Sequence, residues 1–102
     1  MAIYERNIGQ NKGRPRLWLE KKILSDNGFQ HGDRFDIEPQ DGVLVIKYNP
    51  EGKRKVAGKP DRPVIDILGK ALEDAFGDPV PARVQIKIVK KGCMRVTELL
   101  AA

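Results

Sequence analysis

Two stretches of the chain bring together the residue types that contact polyanions. Arg6, Asn7, Gln10, Asn11, Lys12, Arg14 and Arg16 fall within residues 1–16, interleaved with Gly9 and Gly13. Lys53, Arg54, Lys55, Lys59 and Arg62 fall within residues 49–63. Lys and Arg contact phosphate oxygens, and each contact releases condensed counterions, so affinity falls steeply with salt. Asn and Gln offer the donor–acceptor pair that matches an adenine edge. Glycine lets the backbone approach a phosphate closely. Each stretch carries a net charge of +3, while residues 17–48 sum to −2 and residues 64–102 to +1, within a total of +5. The two stretches therefore hold more than the whole positive excess. The alternatives are a basic tail without a partner for the first, and a linker kept soluble by lysine for the second.

Other chemistry is poorly supplied. Cys93 is the only cysteine and His31 the only histidine. One thiol makes no internal disulfide and no cysteine-based metal site, which suits a reducing cytoplasm. One histidine rules out a multi-histidine metal site, and no serine or cysteine triad can be assembled around it with any support from spacing. His31 reads as an exposed loop residue. Asp33 reads as a turn-former that accepts local backbone N–H groups. Asp36 and Glu38, with Asp33 and Asp41 near in sequence, read as a solvated acidic face rather than a cation site. No catalytic residue, metal or cofactor is expected, and the chain is not expected to be an enzyme. Trp18 could stack on unpaired bases, but its place between Leu17 and Leu19 favours the core or a subunit interface. Lys87, Lys90, Lys91 and Arg95 read as lysine-type protection of an exposed edge strand.

The elements that must position these residues follow from the hydrophobic pattern. With 102 residues the chain is expected to form a single domain. It has no apolar run long enough for a membrane span and no apolar leader at its start, so a cytoplasmic location is expected. Residues 1–15 are polar and punctuated by turn residues, and no regular element is assigned there. Residues 16–20 (RLWLE) read as a short strand and residues 21–27 (KKILSDN) as a short helix stopped by Gly28. Residues 34–38 (RFDIE) alternate at period two, Gln40-Asp41-Gly42 signals a hairpin turn, and residues 43–48 (VLVIKY) return. Residues 49–63 read as a basic connector. Strand 64–67 (VIDI), helix 68–76 (LGKALEDAF), strand 83–89 (RVQIKIV) and strand 93–97 (CMRVT) complete the chain.

The halves align with one another. Leu19 meets Ile67 and Leu24 meets Leu72 at a separation of 48; Phe35 meets Val84 and Ile37 meets Ile86 at 49; Gly42 meets Gly92 and Leu44 meets Met94 at 50. The expected class is α+β, mainly β: two β-α-β-β repeats over residues 16–48 and 64–98, joined by the connector 49–63, around one core on a pseudo-twofold axis. One such unit buries too little surface to fold alone.

Residues 24–46 (LSDNGFQHGDRFDIEPQDGVLVI) resemble the AbrB/MazE/SymE-type swapped-hairpin DNA-binding domains. Gly28, Phe29, Gly32, Asp33, Phe35, Ile37, Gly42, Leu44 and Ile46 fall on that family's pattern. The second half departs from it, with Ala82-Arg83 where Gly-Asp should stand. The resemblance implies a swapped-hairpin, AbrB-like barrel, with two units in one chain where most members use two chains. Residues 8–20 (IGQNKGRPRLWLE) and 56–67 (VAGKPDRPVIDI) are similar to the N-terminal module of phage- and plasmid-associated DNA cytosine methyltransferases. That resemblance implies association with DNA modification, in a prokaryote or phage, without catalysis in this chain. Together they predict a DNA-binding module, with RNA as the other polyanion, located at the nucleoid. The further partners expected are a second copy of the chain or a catalytic domain in the natural protein, and no membrane. A SymE/MazE-like toxin–antitoxin component and a protein–protein interaction module remain the alternatives.

Overall fold

The computed structural model of the chain describes residues 2–100. Its strands are β1 (Ile3–Asn7), β2 (Gly9–Asn11), β3 (Arg14–Glu20), β4 (Arg34–Gln40), β5 (Val43–Tyr48), β6 (Arg54–Lys55), β7 (Ala57–Lys59), β8 (Arg62–Leu68), β9 (Arg83–Lys90) and β10 (Cys93–Glu98). Two helices, α1 (Lys22–Ser25) and α2 (Gly69–Phe76), follow β3 and β8. The strands form two antiparallel sheets, one of six strands in the order β1-β9-β10-β5-β4-β6 and one of four in the order β2-β3-β8-β7.

Period-two alternation sets which side chains face inward. Leu17, Leu19, Ile65 and Ile67 line the inner face of the small sheet. Phe35, Leu44, Ile46, Val84, Ile86, Met94 and Val96 line that of the large sheet. Ile23 and Leu24 of α1, with Ala71, Leu72 and Ala75 of α2, join the same apolar cluster. Four ladders cross between the two halves of the chain: β1 with β9, β3 with β8, β5 with β10, and β4 with β6. Without the other, the first half keeps only the ladders β2–β3 and β4–β5, and the second only β7–β8 and β9–β10.

The expected barrel is not closed. No ladder joins the large sheet's edges to the small sheet's edges among the described residues. Instead the chain itself turns the corner between sheets at Ile8 and at Val56. At the first corner Ile8 N–H donates to the Ala82 carbonyl at 2.8 Å; at the second Val56 N–H donates to the Asp33 carbonyl at 2.8 Å and the Val56 carbonyl accepts the Gly32 N–H at 3.0 Å. Ile8 and Val56 leave one sheet as the next residue enters the other, so the edges never come into register.

The two basic stretches, read from sequence as irregular, contain four short strands. In the first, Tyr4, Arg6 and Ile8 alternate at period two, and Tyr4 and Ile8 pack on the core. In the second, Val56 is 1% exposed and fills the core alone among polar neighbours. One buried residue leaves no period to detect, and pairing with β4 and β8 supplies the strand geometry from outside. Strand β3 starts two residues earlier than expected, and α1 shrinks to one turn. Gly28 ends that turn at φ 91°. A Cβ there would stand 2.6 Å from the Gly92 backbone nitrogen. The closeness comes from the bond that Gly92 N–H donates to the Asn27 carbonyl at 2.8 Å, tying α1 to the β9–β10 turn.

Candidate nucleic-acid interface

The outer face of the small sheet is the counterpart of its buried inner face. Leu17 and Leu19 point inward, so Arg14, Arg16, Trp18 and Glu20 point outward along β3. In register, Asn11 lies opposite Arg14, Trp18 opposite Asp66, Glu20 opposite Val64, and Lys59 opposite Arg62. This face therefore collects Asn11, Arg14 and Arg16 from the first basic stretch and Lys59 and Arg62 from the second. Lys12 sits in the β2–β3 turn, where Lys12 and Gly13 both take positive φ, 52° and 79°, as a two-residue hairpin turn requires.

Trp18 marks the centre of the face. It is 40% exposed, which overturns the core half of the expectation and leaves the subunit-interface half open. Leu17 and Leu19 fill the core on one side of β3, and nothing covers the other side among the described residues. The Arg16 guanidinium stacks 4.4 Å from the indole centroid. The same guanidinium donates two parallel bonds to Asp66, Nε to Oδ1 and Nη2 to Oδ2, each 2.9 Å. That pair raises the Arg16 pKa above its ordinary value, against a smaller opposing effect of burial. Arg62 Nε donates to Glu20 at 2.9 Å. This bond, more than the bond from Trp18 and the nearby charges of Arg62 and Lys21, holds the Glu20 carboxyl below its ordinary range despite partial desolvation. Arg14 pairs with Glu73 of α2 at 3.3 Å.

Open grooves flank the indole on both sides. Tyr4, Arg6, Glu20, Lys21 and Lys22 line one with Trp18. Gly58, Lys59, Asp61, Arg62 and Val64 line the other. Lys21 and Lys22 are not among the residues expected from sequence to bind, because residues 21–27 read there as a helix. The signal was their adjacency to Trp18 and Glu20. Lys21 holds φ 63°, a left-handed value rare for a side-chain-bearing residue, and its N–H donates to the Pro63 carbonyl at 3.0 Å.

Arg6 lines the first of these grooves from β1, half-buried and 5.6 Å above the Tyr4 ring. Other predicted residues lie elsewhere. Asn7 ends β1 opposite Arg83. Gln10 lies on the opposite side of β2 from Asn11, in a groove with residues 78–82. Arg54 and Lys55 pair with Phe35 and Arg34 at the far edge of the large sheet. Lys53 donates its backbone N–H to Asp36 at 3.1 Å. Asn49 donates to the same carboxylate at 2.8 Å, and these two bonds hold its pKa below the ordinary value. His31 is exposed, and Asp33 accepts the Gln30 N–H at 2.8 Å as a turn-former does. No group of acidic, histidine or cysteine side chains among the described residues is arranged to hold a metal ion. No helix among them is long and apolar enough to cross a membrane.

No family model, curated protein or solved structure matches the chain.

Proposed function

We propose that the chain is a DNA-binding module without catalysis of its own, and that the outer face of its small sheet meets the nucleic acid. The observation that carries this reading is the convergence of Asn11, Arg14, Arg16, Lys59 and Arg62, from two separate basic stretches, on one face around an exposed tryptophan. The carboxylates on this face do not oppose it. The Arg14 and Arg62 side chains are exposed, and surface ion pairs contribute about 0–1 kcal/mol each, so these two guanidiniums exchange carboxylate for phosphate at little cost, whereas Arg16, half-buried and bidentate, keeps Asp66. Arg16 also keeps three of its five N–H donors free of Asp66.

The same reading includes an internal repeat on a pseudo-twofold axis. Leu17 pairs with Ile67 and Leu19 with Ile65, so each residue opposes the equivalent of its neighbour, with Trp18 and Asp66 on the axis. Leu44 with Val96 and Ile46 with Met94 obey the same rule about Val45 and Arg95. A shift of 48 also carries Arg6 onto Arg54 and Arg14-Pro15 onto Arg62-Pro63. The repeat thus extends upstream to include β1–β2 and β6–β7. Each unit lends its first strand to the other's fourth, which is the exchange expected of a swapped-hairpin domain. Such a symmetric face presents Arg14 and Arg62 at its two ends. They stand about eight residues apart along the strand axis, roughly 25 Å.

The test is fluorescence anisotropy of a short labelled random-sequence duplex titrated with the protein at several salt concentrations. Binding that weakens linearly in log–log form with salt is the expected result. Indifference to duplex DNA at low salt would reject the proposal and favour a protein partner. An RNA duplex that competes better than DNA would reassign the polyanion.

A further inference from the structure

The β9–β10 hairpin exposes Lys87, Lys90, Lys91 and Arg95. Protection of a sheet edge does not explain them. β10 is a central strand, β9 lies between β1 and β10, and the edges of the large sheet are β1 and β6. Arg95 stands directly opposite Lys87. Val45 continues that row on one side and Ile3 on the other. Like charges directly opposite one another destabilise a sheet. Nearby basic groups on the same face are neutralised: Arg83 by Glu5 at 3.2 Å and Lys47 by Glu38 at 3.6 Å. Among the described residues, Lys87, Lys90, Lys91 and Arg95 make no ion pair. The small-sheet face is the reverse case, with Arg14, Arg16 and Arg62 each holding a carboxylate. The uncompensated, mutually repelling Lys87 and Arg95 therefore sit mid-sheet on a surface floored by half-buried Val43, Val45 and Thr97, with Lys90 and Lys91 at the end of the hairpin.

We propose that this face is a second phosphate-contacting surface, for the backbone of a nucleic-acid duplex. The inference rests on the polyphosphate partner of the preceding reading and adds a site to it. The phosphate charge relieves the Lys87–Arg95 repulsion on binding, so the pair costs stability in the free protein and contributes affinity in the complex. The two outer faces lie on opposite sides of the shared core, so one chain can contact two duplex segments.

The test compares wild type, Lys87→Gln/Arg95→Gln and Arg14→Gln/Lys59→Gln/Arg62→Gln in salt-dependent duplex binding and thermal melting. For Lys87→Gln/Arg95→Gln the expected loss is about two units of log–log salt slope, with Tm raised by about 1–6 °C. The melting curve also shows that the variant is folded. Unchanged affinity and slope in that variant would overturn the second face, while a loss confined to the small-sheet variant would leave the first face standing. A wild-type protein that binds no duplex would remove both.

Discussion

Arg14→Gln/Lys59→Gln/Arg62→Gln is expected to bind duplex DNA on the order of 10²-fold more weakly than wild type at about 0.1 M salt, with the log–log salt slope reduced by about three. Each side chain is exposed and none belongs to the apolar cluster, so the fold should persist. Arg14 and Arg62 each lose one surface ion pair, with Glu73 and Glu20. Exposed pairs of this kind contribute about 0–1 kcal/mol, too little to unfold a domain. The expected signature is thus a large binding loss with a small change in Tm. Anisotropy beside a melting curve measures both. Intact binding with an unchanged slope would show that phosphate is contacted elsewhere.

Residues 1–50 and 51–102, produced separately, are expected not to fold as monomers. Far-UV circular dichroism should show disordered chains at low concentration, and mixing should restore sheet and a cooperative melt. The reason lies in the ladders. β3 hydrogen-bonds across to β8, β5 to β10, β1 to β9, and β6 to β4, so separation strips each half of its long-range partners. Leu17 and Leu19 lose Ile65 and Ile67 from the inner face of the small sheet. A chain of about 50 residues cannot replace that burial by itself. Sedimentation equilibrium adds a check on the twofold reading. A self-associated, folded dimer of residues 1–50 would agree with it, since Val45 and Trp18 would then lie on a true axis. A folded monomer of either half would contradict the interleaved core.

The sequence made the hairpins legible because their periodicity is local. Phe35 and Ile37 alternate before Asp41-Gly42, and Val84, Ile86 and Ile88 alternate before Lys91-Gly92. Strand β5 was found with its true ends. What stayed hidden was set by distant partners. β6 and β7 contain no core residue of their own, Val56 fills the core at the corner between them, and both exist because β4 and β8 lie alongside. Two-sheet topology was equally invisible, because the corners at Ile8 and Val56 leave no mark beyond one apolar residue each. A core position for Trp18 fails for a related reason. Alternation placed it opposite Leu17 and Leu19, and whether that side is covered depends on sheet order. Lys87 and Arg95 were assigned to an edge because β1, which covers β9, had not been recognised. The candidate face was half legible: the residue types and the two stretches were visible, but their division between two sheets was not. Arg14-Pro15 and Arg62-Pro63 are identical pairs 48 residues apart, a sequence signal that links the two basic stretches.

Trp18 is the only tryptophan and stands at the centre of the proposed interface, so its emission reports that face alone. Titrating the protein with unlabelled duplex at low salt and following this emission is the most direct test of the central claim. A saturable change in intensity or wavelength that reverses as salt is added is the expected result. Emission that stays constant through saturating duplex would contradict it.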